Sequence, residues 1–238
     1  MISERKLVSS HTSFWRVAMP LAEAFVRAMN LSLERFAPPL PSGSLPVRNA
    51  LISELAFCLY ADSLSGAIDL DTQDRDQDDY VQQLAENVRG YISRLERGLA
   101  FHAMGASEIE EAFALAVRLA EGIARLEPGC IVEPRPKFLG CGIVDDCEGD
   151  LLIGTTLYEV KNVDRQFRLT DIRQLLSYCA LNSMTNGYVI KTVGLINARA
   201  GLSYRLDLNS LALAAAGVPA PMLMTDIASF ITADRPSR

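Results

Sequence analysis

Apolar positions recur at helical spacing through the first half of the chain and at strand spacing through the second. From Phe14 to about Phe36, Trp15, Met19, Ala22, Phe25, Val26, Met29 and Leu33 follow a 3.6-residue period and predict a helix. Pro38-Pro39-Leu40-Pro41-Ser42-Gly43 ends it. A second helix is predicted from Val47 to about Leu64 on Leu51, Leu55, Cys58 and Leu59, with Glu54 in a solvated or partner-facing role. Asp69, Asp71, Asp74, Asp76, Asp78 and Asp79 follow as an acidic run. The glycine and final glutamate of an EF-hand are missing, so the run reads as a loop entering a helix start. That helix is predicted from about Asp78 to Met104, and another to about Leu126 behind a capping box of Ser107 and Glu110.

Glu127-Pro128-Gly129 marks a change of character. Strands are predicted at Cys130 to Glu133, Phe138 to Asp145, Glu148 to Ile153 and Thr156 to Val163. A helix over about Thr170 to Met184 precedes strands at Tyr188 to Asn197 and Leu202 to Leu208, then short helices at Asn209 to Ala216 and Thr225 to Ala233. The fold class is α/β, a mixed sheet flanked by helices behind an all-helical start. By element type the chain divides into a helical region, 1–106, and an α/β region, 107–238.

The stretch from Gly149 to Lys161 carries the candidate chemistry. Gly154-Thr155 suits a two-residue hairpin turn, which sets Asp150 opposite Glu159. Strand alternation puts Glu159 and Lys161 on that same face, with Leu151, Ile153, Tyr158 and Val160 on the other. Asp150, Glu159 and the Val160 backbone carbonyl offer oxygen ligands of the kind that Mg2+ or Mn2+ prefers, and Lys161 stands beside them to stabilise charge developing on phosphorus. A surface hairpin with a cross-strand salt bridge is the plain alternative. Charges set among Leu151-Leu152-Ile153 and Leu157-Tyr158 would be costly without a purpose. In this register Glu148 falls opposite Lys161, and a longer turn would put Asp145 or Asp146 in place of Asp150.

Composition narrows the rest. With 238 residues, 49% of them hydrophobic, the chain can bury a core as one large domain or two small ones. A net charge of -6 argues against coating nucleic acid non-specifically, while leaving room for a local basic cleft. Five cysteines without framework spacing point to a reducing cytoplasm. His11 and His102 lie too far apart in sequence to supply a histidine-based mechanism readily. The start is polar rather than a signal peptide, and Pro219, Pro221 and Asp226 interrupt the apolar run from Leu208 to Ala233, so no membrane span is expected.

Gln174 and Tyr178, four residues apart, share one face of the following helix. Arg165, Arg168 and Arg173 gather near its start, a cluster suited to phosphates or to plain solvation. With Gly149-Asp150, Glu159-Val160-Lys161 and Gln174-Leu175-Leu176-Ser177-Tyr178 in this order, the stretch from about Ser107 to Leu208 resembles the PD-(D/E)xK nuclease superfamily, in its RecB and lambda-exonuclease branch. The resemblance implies a restriction-endonuclease-like core in which Asp150 and Glu159 bind magnesium, Lys161 assists phosphodiester hydrolysis, and Gln174 and Tyr178 lie beside the site. It also implies a glutamate from the first core helix, with Glu108, Glu110, Glu111 and Glu121 available, and a DNA-cutting role in restriction or phage defence. A nuclease-fold binding subunit and a hydrolase of RNA or nucleotides are the rival expectations. Partners are DNA, a protein docking on the N-terminal helices, and a second copy of the chain.

Overall fold

Six strands form a mixed sheet with helices packed on both of its faces. The computed structural model describes residues 1–71, 77–95, 102–185 and 187–233. Its helices are α1 (Glu4–Ser10), α2 (Thr12–Ala18), α3 (Ala22–Leu31), α4 (Asn49–Leu64), α5 (Asp78–Leu95), α6 (Ala106–Leu126), α7 (Leu169–Thr185), α8 (Leu208–Ala216) and α9 (Ala220–Ala233). The strands are β1 (Glu34–Arg35), β2 (Val132–Pro134), β3 (Lys137–Phe138), β4 (Cys147–Glu148), β5 (Leu151–Ile153), β6 (Thr156–Lys161), β7 (Thr192–Asn197) and β8 (Leu202–Asp207). Sheet order is β1-β8-β7-β6-β5-β2, with β6 and β7 parallel and the other neighbours antiparallel. The parallel pair needs a crossover, which α7 supplies. β3 and β4 make a separate ribbon.

Alternation along the strands sorts the apolar residues into two cores. Leu152, Leu157, Val193 and Leu195 point toward α7 and share a core with α1, α2, α3, α8 and α9. Leu151, Ile153, Tyr158, Ile196 and Ala198 point the other way, toward α4, α5 and α6. The division expected at 106 and 107 follows element type. In packing, helices from before it cover both faces: α1 lies on α7, α4 lies on α6, and β1 pairs with β8.

Several elements differ from expectation for local reasons. The helix expected over Phe14 to Phe36 is broken at Pro20, which lacks an N–H and disfavours helical geometry at Met19 (φ -133°, ψ 66°). α1 forms within the polar start, its N-terminus capped by the Ser3 side chain accepting from the Lys6 N–H at 3.3 Å. At the start of α6, Glu108 reaches back to the Gly105 N–H at 3.0 Å, so the cap lies two residues before the expected Ser107 and Glu110 pair. The strand expected from Phe138 to Asp145 is only Lys137–Phe138. Beyond it the chain loops under the N-terminus, where the Ile2 N–H donates to the Ile143 carbonyl at 2.7 Å. The helix expected to reach Met104 is α5 as far as Leu95, and 96–101 lie outside the described residues, as do Asp74 and Asp76.

Among the described residues no single helix is long and apolar enough to cross a membrane, and α8 and α9 meet at a 70° bend.

Gly194 pairs with Tyr158 across β6 and β7 and leaves room for its ring, since a Cβ there would run into the ring carbons. Gly194→Ala is expected to destabilise the protein by about 1–3 kcal/mol through overpacking, read as a lower midpoint in urea unfolding.

Candidate active site

The hairpin has the expected register: Ile153 faces Thr156, Leu152 faces Leu157 and Leu151 faces Tyr158, with Gly154 at φ 57° in the turn. One step further, Asp150 falls opposite Glu159, and here the regular ladder stops. The Asp150 carboxylate itself accepts the Val160 N–H, at 2.7 Å through Oδ2. A strand residue's N–H and C=O project toward the same neighbour, so the Val160 carbonyl lies on the Asp150 side. Glu148 is not opposite Lys161: it pairs with Lys137 in the ribbon, because the chain splays away from β6 at Gly149. Asp145 is exposed, and Asp146 accepts the Gly140 N–H at 2.7 Å. Neither takes the place of Asp150 against β6.

Glu159 is 2% exposed. Its Oε1 accepts from Lys161 Nζ at 2.5 Å, while Oε2 is buried with no hydrogen-bond partner. Lys161 Nζ also reaches Gln174 Oε1 at 3.4 Å and lies 4.0 Å from Asp171 Oδ1. Gln174 and Tyr178 come off one face of α7, the Gln174 amide donating to the Tyr178 hydroxyl at 2.8 Å. Tyr178 in turn stacks on Phe138, with ring centroids 5.2 Å apart. Five residues singled out in the sequence therefore meet between the sheet and α7.

The expected arginines do not join them. Arg165 is held by both oxygens of Asp171, at 2.8 and 3.1 Å, and the same carboxylate accepts the Arg168 N–H at 2.8 Å. Asp171 thus caps the start of α7. Arg173 lies over the Trp15 ring at 5.6 Å, with Nη1 reaching the Val8 carbonyl at 3.4 Å. Arg168 is exposed. None of the three lines the cleft of about 1010 Å3 that opens over Asp150, Glu159 and Lys161.

That cleft is walled instead by Arg5 of α1, Glu54 and Phe57 of α4, Tyr91 of α5, and Arg135 and Lys137. The charges of Glu159 and Asp150 act on Arg5. No α6 glutamate reaches the cleft. Glu108 grips Arg48 at 2.6 and 2.7 Å, and Glu111 binds the buried Arg199 at 2.6 Å while accepting from Ser42, Gly43 and Ser44. Glu110 and Glu121 are exposed. Glu54, expected to be solvated or partner-facing, lines the cleft together with Glu4 of α1, and Arg135 holds Glu54 at 2.7 Å. Nothing local marks this position; only the packing of α4 across the second core brings it here.

Burial makes both acids reluctant to ionise. The Glu159 carboxyl is pushed up to about 8, by desolvation first and by the Asp150 charge second. Asp150 is also raised by desolvation, against the pull of Lys161 and the Val160 N–H. Desolvation opposes the charge on Lys161, but Glu159, Asp150 and Asp171 outweigh it and hold the ammonium above its ordinary range. A buried oxygen without a partner, beside a second carboxylate and a strand carbonyl, fits a hard divalent cation. Among the described residues no three carboxylate, histidine or cysteine side chains gather around one point. Magnesium is commonly held by only one or two carboxylates, with water and substrate phosphate completing its shell, so the donors present suit it.

A proton bound more tightly in the folded state than the unfolded one supports folding below the unfolded pKa and ceases to do so as pH climbs through the folded one. Without divalent cations, Tm is expected to fall as pH rises from 4.5 toward about 8, the span over which Glu159 is raised. Magnesium or manganese should restore Tm at the upper end of that span and have little effect at the lower, because the ligands must be ionised. Thermal melts of wild type and Glu159→Gln, with and without EDTA, check this; the variant should lose the rescue by metal and keep only the part of the pH dependence that Asp150 contributes.

No protein-family model matches this sequence, and neither does any curated protein.

Proposed function

We propose that the protein is a metal-dependent nuclease that hydrolyses phosphodiester bonds in DNA. The observation that carries this reading is the buried Glu159 carboxylate, with one oxygen on Lys161 at 2.5 Å and the other unpartnered, beside Asp150. Asp150, Glu159 and the Val160 carbonyl would hold Mg2+ or Mn2+, which when bound supplies a Lewis acid for a phosphoryl oxygen and a water of lowered pKa. Lys161 keeps its proton at Nζ under the field of three carboxylates and presents positive charge where negative charge grows on phosphorus. Gln174 and Asp171 fix the direction of that ammonium, and the Tyr178 hydroxyl fixes the Gln174 amide. The resemblance to PD-(D/E)xK nucleases supports the same assignment, through these residues in this order.

A second reading, a nuclease-fold binding or assembly subunit, draws on the same donor set: among the described residues no third ligand side chain joins Asp150 and Glu159 in a metal-holding group, and a bound phosphate would have to complete the shell. The two readings separate in one assay. With plasmid and linear DNA and magnesium or manganese, wild type is expected to cut, and Asp150→Ala, Glu159→Ala and Lys161→Ala each to lose about a hundredfold or more in rate. Cutting that survives in all three variants would overturn the nuclease assignment to this site. A folded wild type that never cuts but retains DNA supports the binding subunit.

A further inference from the structure

Arg135 is the one non-glycine residue with positive φ among those described, at 53°. Left-handed backbone is uncommon for a long side chain and persists where the surroundings enforce it. Here the enforcement is next to the active site, since the Arg135 N–H donates to the carbonyl of Asp150 at 2.9 Å. The guanidinium lies over the Phe57 ring at 5.0 Å, with Nη2 on Glu54 at 2.7 Å and on Cys58 Sγ at 3.4 Å. These side-chain bonds run through Nη2. The group carries five N–H donors, and the side chain is 37% exposed at the cleft wall. A fork stacked on an aromatic ring with donors to spare is suited to a phosphate.

On α5, Ile92 is buried and the neighbouring Tyr91 is 41% exposed within the same cleft. An exposed ring and a guanidinium that line the same cleft as Asp150 and Glu159 match the chemistry of one unpaired nucleotide: a phosphate for the guanidinium and a base face for the ring. Bases stacked within a duplex have no free face to offer.

We infer that the cleft wall formed by Arg135 and Tyr91 is a subsite for an unpaired nucleotide next to the bond cut, with Arg135 on its phosphate and Tyr91 stacked on its base. This rests on the nuclease reading of the floor and extends it to a substrate class: single-stranded DNA, or the unpaired end or flank of a duplex.

Fluorescence anisotropy with a labelled oligothymidine strand and a matched blunt duplex tests it, with calcium replacing magnesium and the strand confirmed intact on a gel. Wild type is expected to bind the single strand more tightly than the duplex. Tyr91→Ala and Arg135→Gly should each weaken single-strand binding about tenfold, while Tyr91→Phe keeps it. Arg27→Ala, on α3 away from the cleft, serves as the unaffected control. Glycine relieves the left-handed backbone, so Arg135→Gly is the variant suited to fold, and Tyr91→Ala alone decides if it does not. Equal binding by wild type, Tyr91→Ala and a folded Arg135→Gly, or no preference over duplex, overturns the subsite. Cleavage assays on the same proteins, with magnesium restored in place of calcium, keep the two readings apart. A wild type that cuts while these variants bind and cut unchanged loses the subsite and keeps the nuclease. Binding that depends on Arg135 and Tyr91 without any cutting keeps the subsite and loses the nuclease.

Discussion

The protein depends on keeping a carboxylate, Glu159, almost wholly out of water between its sheet and α7. Removing a charge from water is costly, and neither folding nor packing by itself repays it. Asp150 adds to that cost, and the groups around Lys161 answer it. Lys161 supplies the counter-charge, Gln174 and Asp171 hold Lys161, and Arg165 in turn balances Asp171. One oxygen is still left over. On the proposed nuclease reading, a hard cation would take that oxygen.

The face assignment was legible in the sequence because it needs only the two-residue period of a strand and the length of one turn. Leu151, Ile153 and Tyr158 do pack opposite the Glu159 face, and Gly154 does sit in the turn. Gln174 and Tyr178 follow the helical period with equal economy. The failures are failures of locality. Glu148 was carried along by extending a register that ends when the Asp150 side chain takes over a backbone position in the ladder. The arginines near α7 look free in one dimension, but Asp171 and Trp15 claim two of them in three. Arg135, Glu54, Tyr91 and Arg5 come from four separate segments and meet only once the cores have formed. Arg135 alone left a trace, standing between Pro134 and Pro136 where backbone freedom is least.

The two cores divide the labour around the cleft. The α7 side supplies the groups that hold charge, and both sides supply the wall, α1 from one and α4 and α5 from the other. They join at the start of β5, where Asp150 faces Glu159 with its side chain and Arg135 with its backbone carbonyl. A shift of that residue would disturb both walls together. Glu108 and Glu111 serve the outer frame instead, fixing Arg48 and Arg199 and, through Ser42 to Ser44, the proline-rich loop.

The pairing of β1 with β8 brings residues 34 and 35 against 202 and 203, and α1 lies on α7. During synthesis residues 34 and 35 must therefore wait for 202 and 203, and α1 for α7, before they find these places. Contacts this distant in sequence form late and slowly. Until α7 and β7 have been made, β6 lacks both its crossover helix and its parallel partner, and the Glu159 carboxyl has not yet been enclosed.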